Sequence, residues 1–258
     1  MKREPFCFTR LYDDVGIGLT YFGRRILLNT RNIRTYSVIT HGKLEPALCH
    51  LFEQFIKPGD RVIDVGANVG FLTLLACHLV GPKGQVYSFE PNPDVFELLT
   101  QSIDINAFKP RSQCFQNIVH DTEKSMQLTW NPERDGSGRV VSEKMPGLAE
   151  KSAEVAAVRL DDICGDQPVN LIKIDTEGAE PFVLYGAEKL IEDNPQLKII
   201  MEWNPRHMMQ RDADVEQCLD FIFKRFSSVQ KINKVDSLTA LDKKQLIDLP
   251  HCNILLSN

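Results

Sequence analysis

The chain has no cysteine pair spaced as C-x-x-C, no run of basic residues, no internal repeat and no apolar segment long enough to cross a bilayer. Each absence removes a class of function. The seven cysteines, Cys7, Cys49, Cys77, Cys114, Cys164, Cys218 and Cys252, are odd in number and scattered, which argues against a disulfide framework or a zinc knuckle. Reduced, mostly buried thiols are expected instead. Without a basic tract, and with a formal net charge of -5, broad contact with a phosphate backbone is disfavoured, so no nucleic-acid partner is expected. The longest apolar run, Phe71 to Val80, is too short to span hydrocarbon and contains His78. The charged start, Met1-Lys2-Arg3-Glu4-Pro5, is not followed by an apolar stretch of signal-peptide length. No membrane association and a cytoplasmic location are therefore expected. The six histidines show no metal-ligand spacing, and His41 and His207 are the two placed to reach a site. What remains, 258 residues with 43% hydrophobic and 25% charged, suits one large globular domain with or without a small appendage.

The pattern along the chain is α/β. Residues 1 to about 44 read as a small β-rich N-terminal extension, with a hairpin or meander between Gly16 and Leu28. Pro46 to Ile56 reads as a helix with Leu48, Leu51, Phe52 and Phe55 on one face, opened by a proline and closed by Pro58-Gly59. Strands are then predicted at Arg61–Val65, Gln85–Phe89, Ser112–Asn117, Leu171–Ile174, Leu197–Met201 and Cys252–Leu256. Helices are predicted at Val69–Val80, Pro93–Ile105, Pro181–Leu190 and Asp214–Phe226. Strands alternating with helices imply a doubly wound, mainly parallel sheet. Residues 121–158 break the rhythm. Ser125–Trp130 and Arg139–Ser142 flank a polar turn, Glu133 to Gly138, and read as an inserted β-ribbon.

The densest chemical signal is Asp64-Val65-Gly66-Ala67-Asn68-Val69-Gly70, a strand end that breaks into a glycine turn and opens a helix. A dinucleotide fingerprint is G-x-G-x-x-G, in which the glycines let the backbone approach a pyrophosphate. Here Asn68 stands where the second glycine belongs and Asp64 sits directly before the turn; both disfavour a phosphate. A carboxylate suits a cofactor with an ammonium and a sulfonium. Glu90, at the end of the next strand and followed by Pro91-Asn92-Pro93, is placed to accept hydrogen bonds from ribose hydroxyls. The residues therefore favour S-adenosylmethionine over NAD.

A second acidic group follows the buried strand Leu171-Ile172-Lys173-Ile174. Side chains alternate across a strand, so Lys173 and Asp175 share a face, with Glu177 and Glu180 in the turn beyond. A lysine in an apolar strand is costly unless it is paired or reaches a site. Glu202 places another acid at a strand's carboxyl end, where ligands bind in this architecture.

At these segments the chain resembles the FkbM family of S-adenosylmethionine-dependent methyltransferases. The matching stretches are Gly59 to Gly70, Phe89-Glu90-Pro91-Asn92-Pro93, Leu160-Asp161-Asp162, and Leu171 to Glu180 with Gly186-Ala187 downstream; Glu45-Pro46 is also similar. Thr176 stands where the family usually has an aliphatic residue. The resemblance implies a seven-stranded, Rossmann-like methyltransferase sheet whose last strand is antiparallel, spanning 45–258 and interrupted by the 121–158 insertion. It implies methylation of a hydroxyl on a small-molecule sugar or secondary metabolite. Asp64, Gly66, Ala67, Asn68 and Gly70 would line the methionine end of the cofactor. Glu90, with Pro91 beside it, would hold the ribose, and Asn106 and Asn117 would reach the adenine side. The first 40 residues and the insertion match weakly and are expected to shape the acceptor pocket.

Transfer to an alcohol needs alignment and a general base. Asp175 is the first candidate, with Lys173 stabilising a developing alkoxide or holding Asp175 and Glu177 in place. Alternatively Asp175, Glu177 and Glu202 ligate Mg2+, which would acidify the hydroxyl, as in catechol-type methyltransferases of the same fold. Two other classes stay open: an NAD-dependent oxidoreductase, and a non-catalytic scaffold that keeps the fold. The sequence has no Asn-Pro-Pro-Tyr or Pro-Cys motif of base methylation.

Overall fold

A computed structural model describes residues 8–31, 38, 42, 44–131, 139–141, 151–164, 168–235 and 237–258. Met1 to Cys7, His41, the turn 133–138 and Ser142 lie outside the described residues.

Strands β1 (Phe8–Tyr12), β2 (Val15–Leu19) and β3 (Arg25–Asn29) form the expected antiparallel meander. Helix α1 (Pro46–Phe55) buries Leu48, Cys49, Leu51 and Phe52. Next come β4 (Arg61–Val65), α2 (Phe71–Val80), β5 (Gln85–Phe89), α3 (Pro93–Ile105) and β6 (Ser112–Phe115). Strand β7 (Ile118–Val119) follows, and the insertion then holds β8 (Ser125–Trp130), β9 (Arg139–Val141) and β10 (Lys151–Val158). After α4 (Leu160–Ile163) the chain continues through β11 (Leu171–Ile174), α5 (Glu180–Tyr185), α6 (Glu188–Asp193), β12 (Lys198–Trp203), α7 (Pro205–Met209) and α8 (Val215–Arg225). It ends with β13 (Ser228–Lys234), β14 (Ser237–Ala240), α9 (Lys243–Ile247) and β15 (Cys252–Ser257).

The main sheet runs β14-β13-β15-β12-β11-β4-β5-β6. From β12 to β6 all pairs are parallel, and β15 is antiparallel to both β12 and β13. The expected seven-stranded sheet with its reversed last strand is present, and β14 adds an eighth strand on the free edge of β13. Helices cover both faces, so the central strands are buried on both sides and mostly apolar, with Asp64, Ser88 and Lys173 as buried polar exceptions. Ile63 and Val65 of β4 pack with Ile172, Ile174 and Leu184 in one layer, while Val62 packs with Leu74, Leu75 and Leu99 in the other. The insertion strands join β7 in a second sheet, β7-β10-β8-β9, with a small core of Ile118, Leu128, Trp130, Val155 and Ala157. Among the described residues all six cysteines are free, and no helix is long and apolar enough to cross a membrane.

Three sequence expectations change. The helix predicted over Pro181–Leu190 is two helices, α5 and α6, broken at Gly186-Ala187. Gly186 lies against the insertion, where a Cβ would sit 2.3 Å from the His120 carbonyl oxygen. Asp161 then caps the restart, accepting from Leu190 N at 2.9 Å and Lys189 N at 3.3 Å. The strand predicted to stop at Met201 continues through Glu202 and Trp203, because β15 pairs with it along that length.

The third concerns Asn106, which was expected on the adenine side of the cofactor. It caps the carboxyl end of α3, whose 13 residues carry it roughly 20 Å from the helix start after Glu90. There Asn106 Nδ2 donates to Arg25 O at 2.6 Å and its Oδ1 accepts from Arg25 N at 3.0 Å, as a paired strand residue would. Ser102 Oγ accepts from Leu27 N at 2.9 Å one turn earlier. Asn106 therefore docks the N-terminal meander, away from the cleft described below. Asn106→Ala is expected to lower unfolding stability by about 1–2 kcal/mol in denaturant titrations and to leave ligand binding unchanged.

Candidate functional site

The carboxyl ends of β4, β5 and β11 converge on one loop. After Val65 the chain turns through Gly66 (φ 75°) and Asn68 (φ 52°) and enters α2 at Gly70 (φ 88°). The amides of Gly66 and Ala67 both donate to Phe89 O at 3.0 Å, which lays the loop across the end of β5. Gly66 has no room for a side chain: a Cβ would lie 1.8 Å from the Asp175 carbonyl oxygen. Asn68 tolerates the left-handed conformation because its Oδ1 accepts from Val69 N at 2.7 Å.

Beneath this loop lies a buried charge cluster. Register pairs Lys173 of β11 with Asp64 of β4, so the two side chains are neighbours on one face of the sheet. Lys173 is 4% exposed and Asp64 0%. Lys173 Nζ lies 3.3 Å from Asp64 Oδ1 and 3.9 Å from Asp175 Oδ2, and it donates to Gly66 O at 2.7 Å. Thr73 Oγ1 of α2 donates to Asp64 Oδ2 at 2.6 Å. Burial alone would lower the lysine pKa; the Asp64 and Asp175 carboxylates outweigh it and hold the pKa above the ordinary lysine value. The expected placements change accordingly. Asp64 has no surface with which to line the methionine end, and Lys173 faces the underside of the loop instead of an acceptor. Both hold the loop in place.

Glu90 is also buried, at 8% exposure. Its Oε2 accepts from Asn68 N at 2.9 Å and its Oε1 from Asn92 N at 2.9 Å, so one carboxylate ties the glycine loop to the β5–α3 turn. Glu180 does the same for the turn after β11: it accepts from Thr176 N at 2.7 Å, Thr176 Oγ1 at 3.1 Å and Gly178 N at 3.0 Å. That turn is tight. Glu177 has φ 55° and Gly178 φ 107°, and a Cβ on Gly178 would meet the His207 carbonyl oxygen at 2.5 Å. Burial pushes both Glu90 and Glu180 up to about 7, against the N–H groups that bond them.

Asp175, partly exposed, is the strand-end acid that remains open beside the loop. Across from it, His207 Nδ1 of α7 lies 3.5 Å from Glu177 Oε2, and His251 Nε2 lies 2.9 Å from Glu202 Oε1. A cleft opens here, lined by Val65, Gly66, Phe89, Pro91, Asn117, Ile118, Val119 and Leu128. Thr176, Ala179 and Arg211 complete its lining. Asn117 is among the lining residues, and its Nδ2 donates to Ala156 O at 3.1 Å. Of the lining residues, only Gly66, Pro91 and Asn117 were among the expected ones. Arg211, whose Nε donates to Glu177 O at 3.3 Å, follows a short helix for which Asn204-Pro205, an N-cap and a first-turn proline, was the available cue. Leu128 lies in the insertion, where alternation along Ser125–Trp130 was the available cue.

A family model described as a methyltransferase FkbM domain matches residues 64–228. Relatives include methyltransferase sdnD of Sordaria araneosa, 22% identical over 173 residues that cover 56% of this chain and 66% of that one. The 31-O-demethyl-FK506 methyltransferase FkbM of Streptomyces tacrolimicus is 30% identical over 165 residues, 52% of this chain and 61% of that one. The hexuronic acid methyltransferase AglP of Haloferax volcanii is 28% identical over 163 residues, 57% of this chain and 58% of that one. The chain spans less than two thirds of the length of each of these relatives.

Two outcomes follow from the buried charges. Lys173→Met strands Asp64 without a counter-charge and is expected to destabilise the protein by roughly 3–5 kcal/mol. A Lys173→Met protein with wild-type stability would refute the staple role. For Glu180 the folded pKa lies above the ordinary 4.5, so its contribution is fully present below about 4.5 and is lost as pH rises through about 7. The melting temperature of wild type relative to Glu180→Gln is therefore expected to fall between pH 5 and pH 8.

Proposed function

The chain belongs to the FkbM methyltransferase family, and from that premise we propose that it transfers the methyl group of S-adenosylmethionine to a hydroxyl of a small-molecule acceptor, a sugar or a secondary metabolite. The Glu90 carboxylate carries this reading. It stands at the end of β5 with each oxygen held by one backbone amide, which leaves acceptor capacity on both for a ribose diol. Beside it the loop at Gly66 presents bare backbone, and the apolar walls of the cleft suit a base. Support for an oxygen acceptor comes from a relative named for a 31-O-demethyl substrate, and support for a sugar from one named for a hexuronic acid.

Bound S-adenosylmethionine would supply an electrophilic methyl group on a good leaving group. The chain's own contribution is alignment and removal of one proton. The glycine loop and Glu90 fix the nucleoside end. Asp175 takes the hydroxyl proton as the acceptor oxygen attacks the methyl carbon, and Lys173 orients Asp175 from below.

Oxygen donors for a divalent cation also meet here. Asp175, Glu180 and Glu202 form one set and Glu177, Glu202 and His207 another, each with ligand atoms within 4.8 Å of one another. Mg2+ held by Asp175, Glu177 and Glu202 would lower the pKa of a bound hydroxyl. We assign the proton to Asp175 because Glu180 is already committed to Thr176 and Gly178, and a histidine is a poor magnesium ligand.

Calorimetric titration is expected to give micromolar binding of S-adenosylmethionine and S-adenosylhomocysteine and none of NAD; the reverse pattern would overturn the cofactor. Glu90→Ala is expected to weaken nucleoside binding about tenfold or more. Asp175→Asn is expected to bind the cofactor normally yet lose on the order of 100-fold or more in transfer rate, with the wild-type rate unaffected by EDTA. Full activity in Asp175→Asn, or loss in EDTA restored by Mg2+, would remove Asp175 as the base.

A further inference from the structure

The hydrogen bonds around the glycine loop form one chain that leaves the main sheet and ends in the insertion. Asn68 N and Asn92 N both donate to Glu90, at 2.9 Å each. Asn92 Oδ1 in turn accepts from Asp94 N at 3.0 Å. Beyond that point the partners belong to the ribbon. Trp130 Nε1 donates to Asp94 Oδ2 at 2.9 Å, and Lys151 Nζ donates to the same oxygen at 2.8 Å. Trp130 ends β8, Lys151 begins β10, and the two are directly paired in the ladder. Asp94 therefore grips the ribbon at a single rung. Burial acts against its charge, but Lys151 and Trp130 outweigh it and hold the carboxyl below the ordinary aspartate value.

The grip has a geometric consequence. Residues two apart in a strand share a face, so Leu128 points the same way as Trp130. Leu128 is 1% and Trp130 4% exposed, and both pack with Ile118, Val155 and Ala157. Leu128 and Ile118 also line the cleft, together with Val65 and Phe89 of the main sheet. Asn117, another lining residue, is held by the carbonyl of Ala156 in β10. The second sheet thus shares the lining of the cleft with the main sheet.

We propose that the second sheet is a wall of the nucleoside cleft, with Leu128 of the insertion and Ile118 of β7 packed beneath the lining that meets the purine ring, and that Asp94 is the positioning residue that seats this wall against the Glu90 turn. This differs from the acceptor-shaping role that the sequence suggests for residues 121–158, and it presupposes the adenine-bearing cofactor proposed above. A flat base buried between two apolar faces gains with the area removed from water, so its affinity depends on the width of the slot. Asp94 sets that width through Trp130 and Lys151 without touching the ligand.

The test uses the full chain, with S-adenosylmethionine and 5′-methylthioadenosine as probes; the second lacks the amino-acid tail and reports the nucleoside end alone. Asp94→Ala is expected to weaken both probes by the same factor, about tenfold. Asp94→Asn keeps an acceptor for Trp130 and is expected to recover most of the loss. Leu128→Ala is expected to weaken both probes equally, and Leu128→Ile, which keeps the core filled, to retain binding. Thermal unfolding is followed in parallel. Variants that lose stability but bind 5′-methylthioadenosine like wild type, well below their melting temperatures, would overturn the proposal and leave Asp94 a structural anchor. A wild-type protein that binds neither probe would overturn the cofactor reading and this proposal with it; wild-type binding with unaffected variants would overturn this proposal alone.

Discussion

One buried cation organises the end of the sheet. Lys173 sits between the Asp64 carboxylate, the Asp175 carboxylate and the Gly66 carbonyl, and so joins β4, β11 and the glycine loop at one point. A lone lysine among the apolar side chains of β11 would cost several kcal/mol in desolvation, and its two carboxylates are what make it tolerable. The dependence is mutual, since Asp64 is as buried as any apolar residue around it. That contact ties the loop through the Gly66 carbonyl and holds Asp175 beside it.

A similar economy recurs at the other strand ends. Glu90 and Glu180 are full-length carboxylates spent on backbone amides, one across the glycine loop and one across the turn at Thr176–Gly178. Both turns are tight and at least half-buried, and a carboxylate can serve several of their N–H donors at once. Acids at the ends of parallel strands thus divide into two kinds. Asp64, Glu90 and Glu180 are buried and tied into the strand-end turns, whereas Asp175 beside the loop is partly exposed.

The insertion completes this arrangement from outside the main sheet. Its small core is self-contained, yet its polar ties run to Asp94 and thence to Asn92, Glu90 and Asn68. A hydrogen-bonded chain of this kind makes loops distant in sequence settle together, because each donor left unsatisfied in a buried place carries its own penalty.

The sequence by itself determined the architecture. The apolar runs at Val62–Val65, Val86–Phe89 and Leu171–Ile174, each followed by a turn and a helical pattern, have no other way to bury both faces than a parallel sheet between helices. The same runs marked which loops carry the acids, because strand ends are local features. What only the tertiary structure decided is the job of each acid and amide. Asp64 and Glu90 look equivalent in the sequence, but register sets Asp64 against Lys173 and leaves Glu90 between two loop amides. Asn106 and Asn117 both end elements, yet the N-terminal meander claims one and the cleft receives the other. Leu128, Arg211 and the Asp94–Trp130 contact depend on how remote segments pack. Periodicity records which face of an element is buried, whereas a polar group's partner is fixed only when two elements meet.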